Sequence, residues 1–152
     1  MIRLIRTSSD DKNFIALIKQ LDKYLAEING EQHGFYDQFN KVDKIKNVVV
    51  VYEYDLPVGC GAIKQFDSDK MEIKRMYTLP EKRGKGIATL ILNELEKWAA
   101  ELSFKKCILE TGKQLKDAIS LYEKNSYKII PNYGQYVGVE NSVCFEKMIK
   151  TK

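Results

Sequence analysis

Arg83-Gly84-Lys85-Gly86 is the stretch whose residue types could do chemistry. Lys82, Arg83 and Lys85 set three positive charges around two glycines, and glycine lets a bulky diphosphate approach the backbone without meeting a Cβ. Upstream, Met71 to Thr78 is rich in alternating and β-favouring residues, and Pro80 stops that strand because it cannot donate to a sheet ladder. Downstream, Ile87, Ile91, Leu95, Trp98 and Leu102 recur at helical spacing, which predicts a helix beginning near residues 84–86 with this stripe facing the core. The first turn of a helix leaves backbone N–H groups unpaired, and the macrodipole places partial positive charge at the same end. A strand, a basic glycine turn and a helix start in that order make an anion cradle; the plainer reading is a solvated basic loop.

Two glycine motifs fail the spacing. A Walker A loop needs Ser or Thr after Gly-Lys, and here Gly84-Lys85 is followed by Gly86. A dinucleotide fingerprint needs Gly or Ala where this chain has Thr89, and a first glycine directly off a strand, whereas Pro80 to Arg83 intervene.

The elements that must position this turn can be read along the chain. Ile2 to Ile5 predicts a first strand, and Ser8-Ser9-Asp10 offers caps for a helix with Phe14, Leu17, Leu21 and Leu25 on one face, ended by Asn29-Gly30. Residues 31–46 are irregular and hold the single histidine, His33, read as a surface residue. Val48-Val49-Val50-Val51-Tyr52 is a β-branched run expected to be buried on both faces, and Val58 to Phe66 its antiparallel partner. After the long helix, Lys106 to Thr111 predicts a buried strand parallel to the one before the turn, because a helix joins them. Leu115, Ala118, Ile119 and Tyr122 predict another helix closed by Asn125-Ser126, then Tyr127 to Ile130, a Tyr/Gly-rich loop over 131–138 and a last strand from Ser142 to Ile149. The sum is a mixed α+β sheet layered by helices.

Composition bounds the function. The chain has 152 residues, enough for one domain over 1–152, with 44% hydrophobic and 30% charged residues. No apolar stretch approaches bilayer length and the N-terminus does not resemble a secretory signal, so a cytoplasmic protein is expected. Cys60, Cys107 and Cys144 are expected to be buried thiols rather than disulfides or metal ligands. A net charge of +4, from 25 basic and 21 acidic residues spread along the chain, does not make a nucleic-acid surface.

Arg83-Gly84-Lys85-Gly86-Ile87-Ala88 also fits Arg/Gln-x-x-Gly-x-Gly/Ala. With the Leu79-Pro80-Glu81-Lys82 lead-in, it resembles the acetyl-CoA pyrophosphate loop of the GCN5-related N-acetyltransferase (GNAT) superfamily. The resemblance extends to Glu72-Ile73-Lys74-Arg75-Met76-Tyr77-Thr78-Leu79-Pro80, to Leu109-Glu110-Thr111-Gly112 and to Ala118 through Tyr127, with Ser126 standing where the family often has glycine. It implies the acyl-CoA N-acyltransferase fold: a central, mostly antiparallel sheet with one splayed parallel pair, flanked by about four helices. It also implies acetyl-CoA as donor, no metal, frequent dimers, and a primary amine on a small molecule or peptide as acceptor. Met76, Tyr77 and Thr78 would lie along the donor, with Met76 and Thr78 holding the pantetheine arm and the acetyl carbonyl. Arg83, Gly84, Lys85, Gly86, Ile87, Ala88 and Thr89 would complete the donor-binding set at the pyrophosphate.

Direct transfer requires a deprotonated amine, a stabilised oxyanion and a protonated leaving thiolate. Glu72, six residues before Thr78, resembles the general base of the histone-acetylating branch, with Glu110 and water as competitors. Tyr122 stands at the family's position for the tyrosine that protonates sulfur; the alternative is a core tyrosine against Ala118. Phe35, Tyr36, Phe39, Tyr133 and Tyr136 are candidates for acceptor walls, and Glu31, Asp37, Glu72 and Glu110 for attracting a cationic acceptor. A non-catalytic acyl-CoA sensor of the same fold is the competing reading.

Overall fold

The structure is a computed structural model that describes residues 1–30 and 44–149; His33 and the candidate acceptor residues Glu31, Phe35, Tyr36, Asp37 and Phe39 lie outside the described residues. Two compact units emerge, Met1–Lys64 with Lys74–Leu95, and Gln65–Ile73 with Glu96–Lys152.

In the first unit, β1 (Ile2–Thr7) pairs antiparallel with β2 (Asn47–Glu53), which pairs antiparallel with β3 (Leu56–Gln65). Val48, Val49, Val50 and Val51 are fully buried, as a β-branched run without polar alternation requires. Helix α1 (Lys12–Asn29) lays Phe14, Leu17, Ile18 and Leu21 into a core with Val48, Val50, Cys60, Ala62 and Tyr77. Its cap is Asp11, one residue beyond the expected Ser8-Ser9-Asp10, and the Asp11 carboxylate accepts from Asn13 N at 2.9 Å and Phe14 N at 3.0 Å. Ser9 is diverted instead, its Oγ accepting from Ile45 N at 2.9 Å.

Strand β4 (Lys70–Thr78) begins in the second unit and ends in the first, leading through a 3-10 turn at Pro80–Lys82 to helix α2 (Ile87–Glu101). Ile87, Ile91, Leu92, Leu95 and Ala99 are the buried stripe of α2. Leu102, expected to extend it, falls past the helix end and is exposed. Gly61 of β3 lies under this stripe: a Cβ there would come within 2.6 Å of Met76 Sδ and 2.7 Å of Ile91 Cγ2.

In the second unit, the start of β4 pairs parallel with β5 (Lys106–Gly112), in register Lys70↔Lys106 to Glu72↔Ile108. Strand β5 also pairs antiparallel with β7 (Ser142–Met148), and β7 with β6 (Lys128–Ile130). Strand order is β1-β2-β3-β4 in the first unit and β4-β5-β7-β6 in the second, the mixed, mostly antiparallel sheet with one parallel pair that was expected. Helix α3 (Lys116–Lys124) buries Tyr122 and is capped by Asn125, and the next residue, Ser126, has φ of 75°, the left-handed value that suits glycine. Among the described residues the helices number three, and none is long and apolar enough to cross a membrane.

Cys60, Cys107 and Cys144 are free and buried. Burial pushes the Cys60 thiol up to about 12 against the opposing charge of Arg75, and pushes Cys107 up to about 12 with help from the Glu96 carboxylate. Cys144 rises to about 11, again chiefly through burial. Since the thiolate is the nucleophile, Ellman's reagent at pH 8 should label the three thiols only after denaturant is added; prompt labelling of the native protein would contradict their burial. Gly61→Ala should cost about 1–3 kcal/mol through overpacking, read by urea denaturation.

Candidate functional site

The glycine turn belongs to the first unit. Gly84 has φ of 79° and Gly86 φ of 82°, and an added Cβ at either would meet nothing within 4 Å. Glycine stands here for backbone conformation and for open space, since crowding plays no part. Residues 83–86 are exposed, Gly86 O accepts the first hydrogen bond of α2 from Leu90 N at 3.1 Å, and Ile87 turns inward as the first core residue of the helix. The helix start is thereby fixed from below while its polar end faces outward. Ala88 and Thr89, both half-buried, complete that first turn.

Of the three cations expected around an anion, Lys82 and Arg83 have side-chain partners within the first unit. Lys82 Nζ donates to the Glu53 carboxylate, and this bond, with the Lys82 charge, holds the Glu53 carboxyl below its usual range. Arg83 folds back: its Nε donates to Thr78 O at 3.0 Å, and its guanidinium lies over the rings of Tyr24 at 5.6 Å and Tyr77 at 5.7 Å. Its part is thus to brace the turn against the end of β4. Lys85 is exposed and makes no ion pair among the described residues.

Met76, Tyr77 and Thr78 close β4. Met76 carries its sulfur toward Gly61 and α2, whereas Tyr77 is buried toward α1 and its hydroxyl donates to Gln20 Oε1 at 3.3 Å. Burial pushes the Tyr77 phenol up, with the Arg83 charge opposing. Alternation along the strand puts these two side chains on opposite faces, leaving the backbone as the feature Met76 and Thr78 share.

The three candidate catalytic groups, Glu72, Glu110 and Tyr122, all fall in the second unit. Glu72 stands opposite Ile108 in the parallel ladder, so Glu110, two residues farther along β5, projects from the same sheet face. Glu72 is buried at 7% exposure and accepts from Tyr133 Oη at 2.7 Å; Glu110 is half-buried and accepts from Ser142 Oγ at 2.7 Å. Both carboxylates, after burial, raise the Tyr136 phenol. Tyr133 is held edge-on by Phe66 at 5.1 Å and Tyr136 at 5.9 Å. Burial, then the charge of Glu72, drives its own phenol far above the usual value, so it remains a hydrogen-bond donor.

Tyr122 is buried at 7% exposure against Tyr127, at 5.9 Å between ring centroids, and Phe145, at 6.0 Å. Its ring is therefore a core group, as its alternative reading requires. Burial, reinforced by the Glu110 charge, raises its pKa and keeps it protonated. A protonated phenol can donate to a nearby sulfur or oxygen.

Two polar groups, Ser142 and Arg75, are not among the site residues expected from the sequence. Ser142 gave no signal, since its partner Glu110 lies 32 residues away. Tyr133, expected as a wall, is also the donor to Glu72. Arg75 shows as a cation among the buried alternating positions Ile73, Arg75 and Tyr77, which is a readable anomaly. Among the described residues no group of three or more His, Cys, Asp or Glu is placed to hold a metal.

Comparison with known proteins bears on this arrangement. The profile of the Acetyltransferase (GNAT) family matches residues 14–127. The uncharacterized N-acetyltransferase YjgM of Escherichia coli is 42% identical over 123 residues, which are 79% of this chain and 66% of the relative, so the chain spans just under two thirds of that relative. A structure from Klebsiella pneumoniae, assigned as an acyl-CoA N-acyltransferase, superposes with a TM-score of 0.83 at 27% identity over 99% of both chains. A GNAT family acetyltransferase from Elizabethkingia anophelis with acetyl-CoA bound shares the fold, with a TM-score of 0.71 at 16% identity over 97% of this chain and 98% of that one. With the glycine turn, the strand before it and the helix after it all inside the matched span, the chain belongs to the GNAT family of acetyltransferases.

Proposed function

We propose that the protein is an N-acetyltransferase that moves an acetyl group from acetyl-CoA directly to a primary amine on a small-molecule or peptidyl acceptor, working as one domain in the cytoplasm. What carries this reading is the turn at residues 84–86: two left-handed glycines, open to solvent, at the start of α2. The donor's diphosphate fits there because backbone N–H groups and the helix end supply fixed positive potential, with Lys85 adding mobile charge. Arg83 contributes by bracing the turn on Thr78 O. The backbone of Met76 and Thr78 offers hydrogen bonds to the amide-rich pantetheine arm, and relatives with acetyl-CoA bound support that donor.

For the chemistry, the amine must lose a proton as its nitrogen attacks the acetyl carbon. Glu72, the more buried of the two carboxylates and oriented by Tyr133 at 2.7 Å, is the favoured base; Glu110, tied to Ser142 at 2.7 Å, and water are the competitors. As the carbon–sulfur bond breaks, its electron pair goes to sulfur and Tyr122 donates there. Burial makes the phenol a weak acid, so its main effect is a hydrogen bond to the developing thiolate, the proton crossing as the thiolate leaves.

Tyr122→Phe keeps the ring packing and removes only the hydroxyl. Turnover on an amine panel, read by thiol release, should fall about 100-fold or more while calorimetry shows acetyl-CoA binding unchanged. Wild-type turnover in this variant would remove Tyr122 from the mechanism. A wild type that binds acetyl-CoA yet acetylates no amine on a wide panel would favour a non-catalytic acyl-CoA module.

A further inference from the structure

The glycine turn carries a carboxylate on one of its own cations. Glu53 closes β2, Lys82 closes the 3-10 turn that leads to Gly84, and the Lys82 ammonium donates to the Glu53 carboxylate. Both residues and the turn itself belong to the first unit. The backbones on either side are anchored. Glu53 stands opposite Ile2 of β1 and Leu56 of β3, and the hairpin beyond it is tied back by Tyr54 N, which donates to Met1 O at 2.9 Å. Lys82 N donates to Leu79 O at 2.9 Å, and Leu79 N to Val58 O of β3 at 2.9 Å. The two side chains meet at the surface, 27% exposed for Glu53 and 21% for Lys82, and an ammonium on a four-carbon stem can change partner without moving its backbone. The hydrogen bond from Lys82 is the largest influence on the Glu53 carboxyl and holds it below its usual range; desolvation opposes it, and the charges of Lys82, Lys85 and the Met1 amino group add to the lowering. Glu53 therefore lies in the field of two of the three cations of the turn. An ion pair at the surface contributes little to stability, and a fixed carboxylate opposes any anion that binds beside it.

We infer that Glu53 is a stand-in anion for the donor turn: it holds Lys82 until a phosphate of acetyl-CoA takes that ammonium, so that donor binding releases the Glu53 carboxylate. This rests on the acetyltransferase reading above and deepens it by naming a residue that sets donor affinity. The exchange keeps one charge-assisted hydrogen bond on Lys82 and leaves the carboxylate to water, while the phosphates add the backbone N–H groups and the helix end at residues 84–86. The alternative is a brace, an ion pair that clips the turn to the hairpin of β2 and β3. The two differ in sign. In a brace, removing either partner loosens the turn and weakens the donor. In an exchange, removing the competitor strengthens the donor and removing the lysine weakens it.

Calorimetry with CoA and with pantetheine, which lacks the phosphates, tests the exchange. The wild type is titrated first: no CoA binding overturns the acetyltransferase reading and the inference together, whereas the outcomes that follow bear on the inference alone. Glu53→Gln should bind CoA about 2–5-fold more tightly than the wild type and Lys82→Gln about 2–5-fold more weakly, with pantetheine bound alike by all three. With Lys82 already replaced, Glu53→Gln should lose most of its effect, because the lysine it competes for is gone. Glu81→Gln, which removes an exposed carboxylate from the same turn, should gain less than Glu53→Gln. A second readout leaves the chain unaltered and decides if a variant fails to fold. The Glu53 carboxyl carbon, followed by NMR in the wild type, should titrate at higher pH with CoA bound than with pantetheine, because Lys82, the chief cause of its lowering, has changed partner and Lys85 faces the phosphates. Weaker CoA binding in both single variants identifies a brace and overturns the inference. So does CoA affinity unchanged in Glu53→Gln or in Lys82→Gln, a gain from Glu53→Gln that is the same with and without Lys82 or is matched by Glu81→Gln, or a carboxyl titration that CoA does not move.

Discussion

The structure turns on the backbone conformation of residues 84–86. Two φ values near 80° within three residues are unfavourable for any side chain bearing a Cβ and ordinary for glycine, and no neighbouring atom accounts for them. The reason lies in what they do to α2: they bring the chain off the Pro80–Lys82 turn and start a helix whose first residue, Ile87, is buried while the turn before it is bare. Several features of the first unit support this junction. The stripe from Ile87 to Leu95 anchors the helix, Gly61 leaves room for it, and Arg83 ties the turn to Thr78 O.

Strand β4 concentrates the groups that stability alone does not explain. It contains a buried glutamate, Glu72, and a buried arginine at a left-handed φ, Arg75, within four residues. Neither is placed where a fold built only for packing would put it, since charged side chains are rarely buried and strained residues cost folding free energy. The fold holds them with dedicated partners, Tyr133 on Glu72 and Asp22 on Arg75, each reached from a distant segment of the chain. Local inconsistency of this sort marks function rather than error in folding.

How much of this was legible in the sequence follows the range of the interactions. The valine run, the α2 stripe, the parallel pairing of β4 with β5 and the glycine turn were readable because each depends on periodicity or on one local backbone requirement. The cap of α1 was missed by one residue because Ser9, a good cap by type, is claimed by Ile45 N, 36 residues away. Side-chain partnerships were the least legible. Nothing local links Tyr133 to Glu72, or the Arg83 guanidinium to the rings of Tyr24 and Tyr77. The charge count of the turn was therefore readable, and the side-chain partners of Lys82 and Arg83 were not.

The central claim, that the turn at residues 84–86 cradles the diphosphate of acetyl-CoA, is tested most directly by calorimetric titration with CoA and with pantetheine, which lacks the diphosphate. The measurement is repeated on the double variant Gly84→Ala, Gly86→Ala. CoA should bind with an affinity of about micromolar order, pantetheine far more weakly, and the variant should lose at least about tenfold for CoA alone. Equal binding of CoA and pantetheine, or full CoA affinity in a folded double variant, would contradict the account and return the turn to the status of an exposed basic loop.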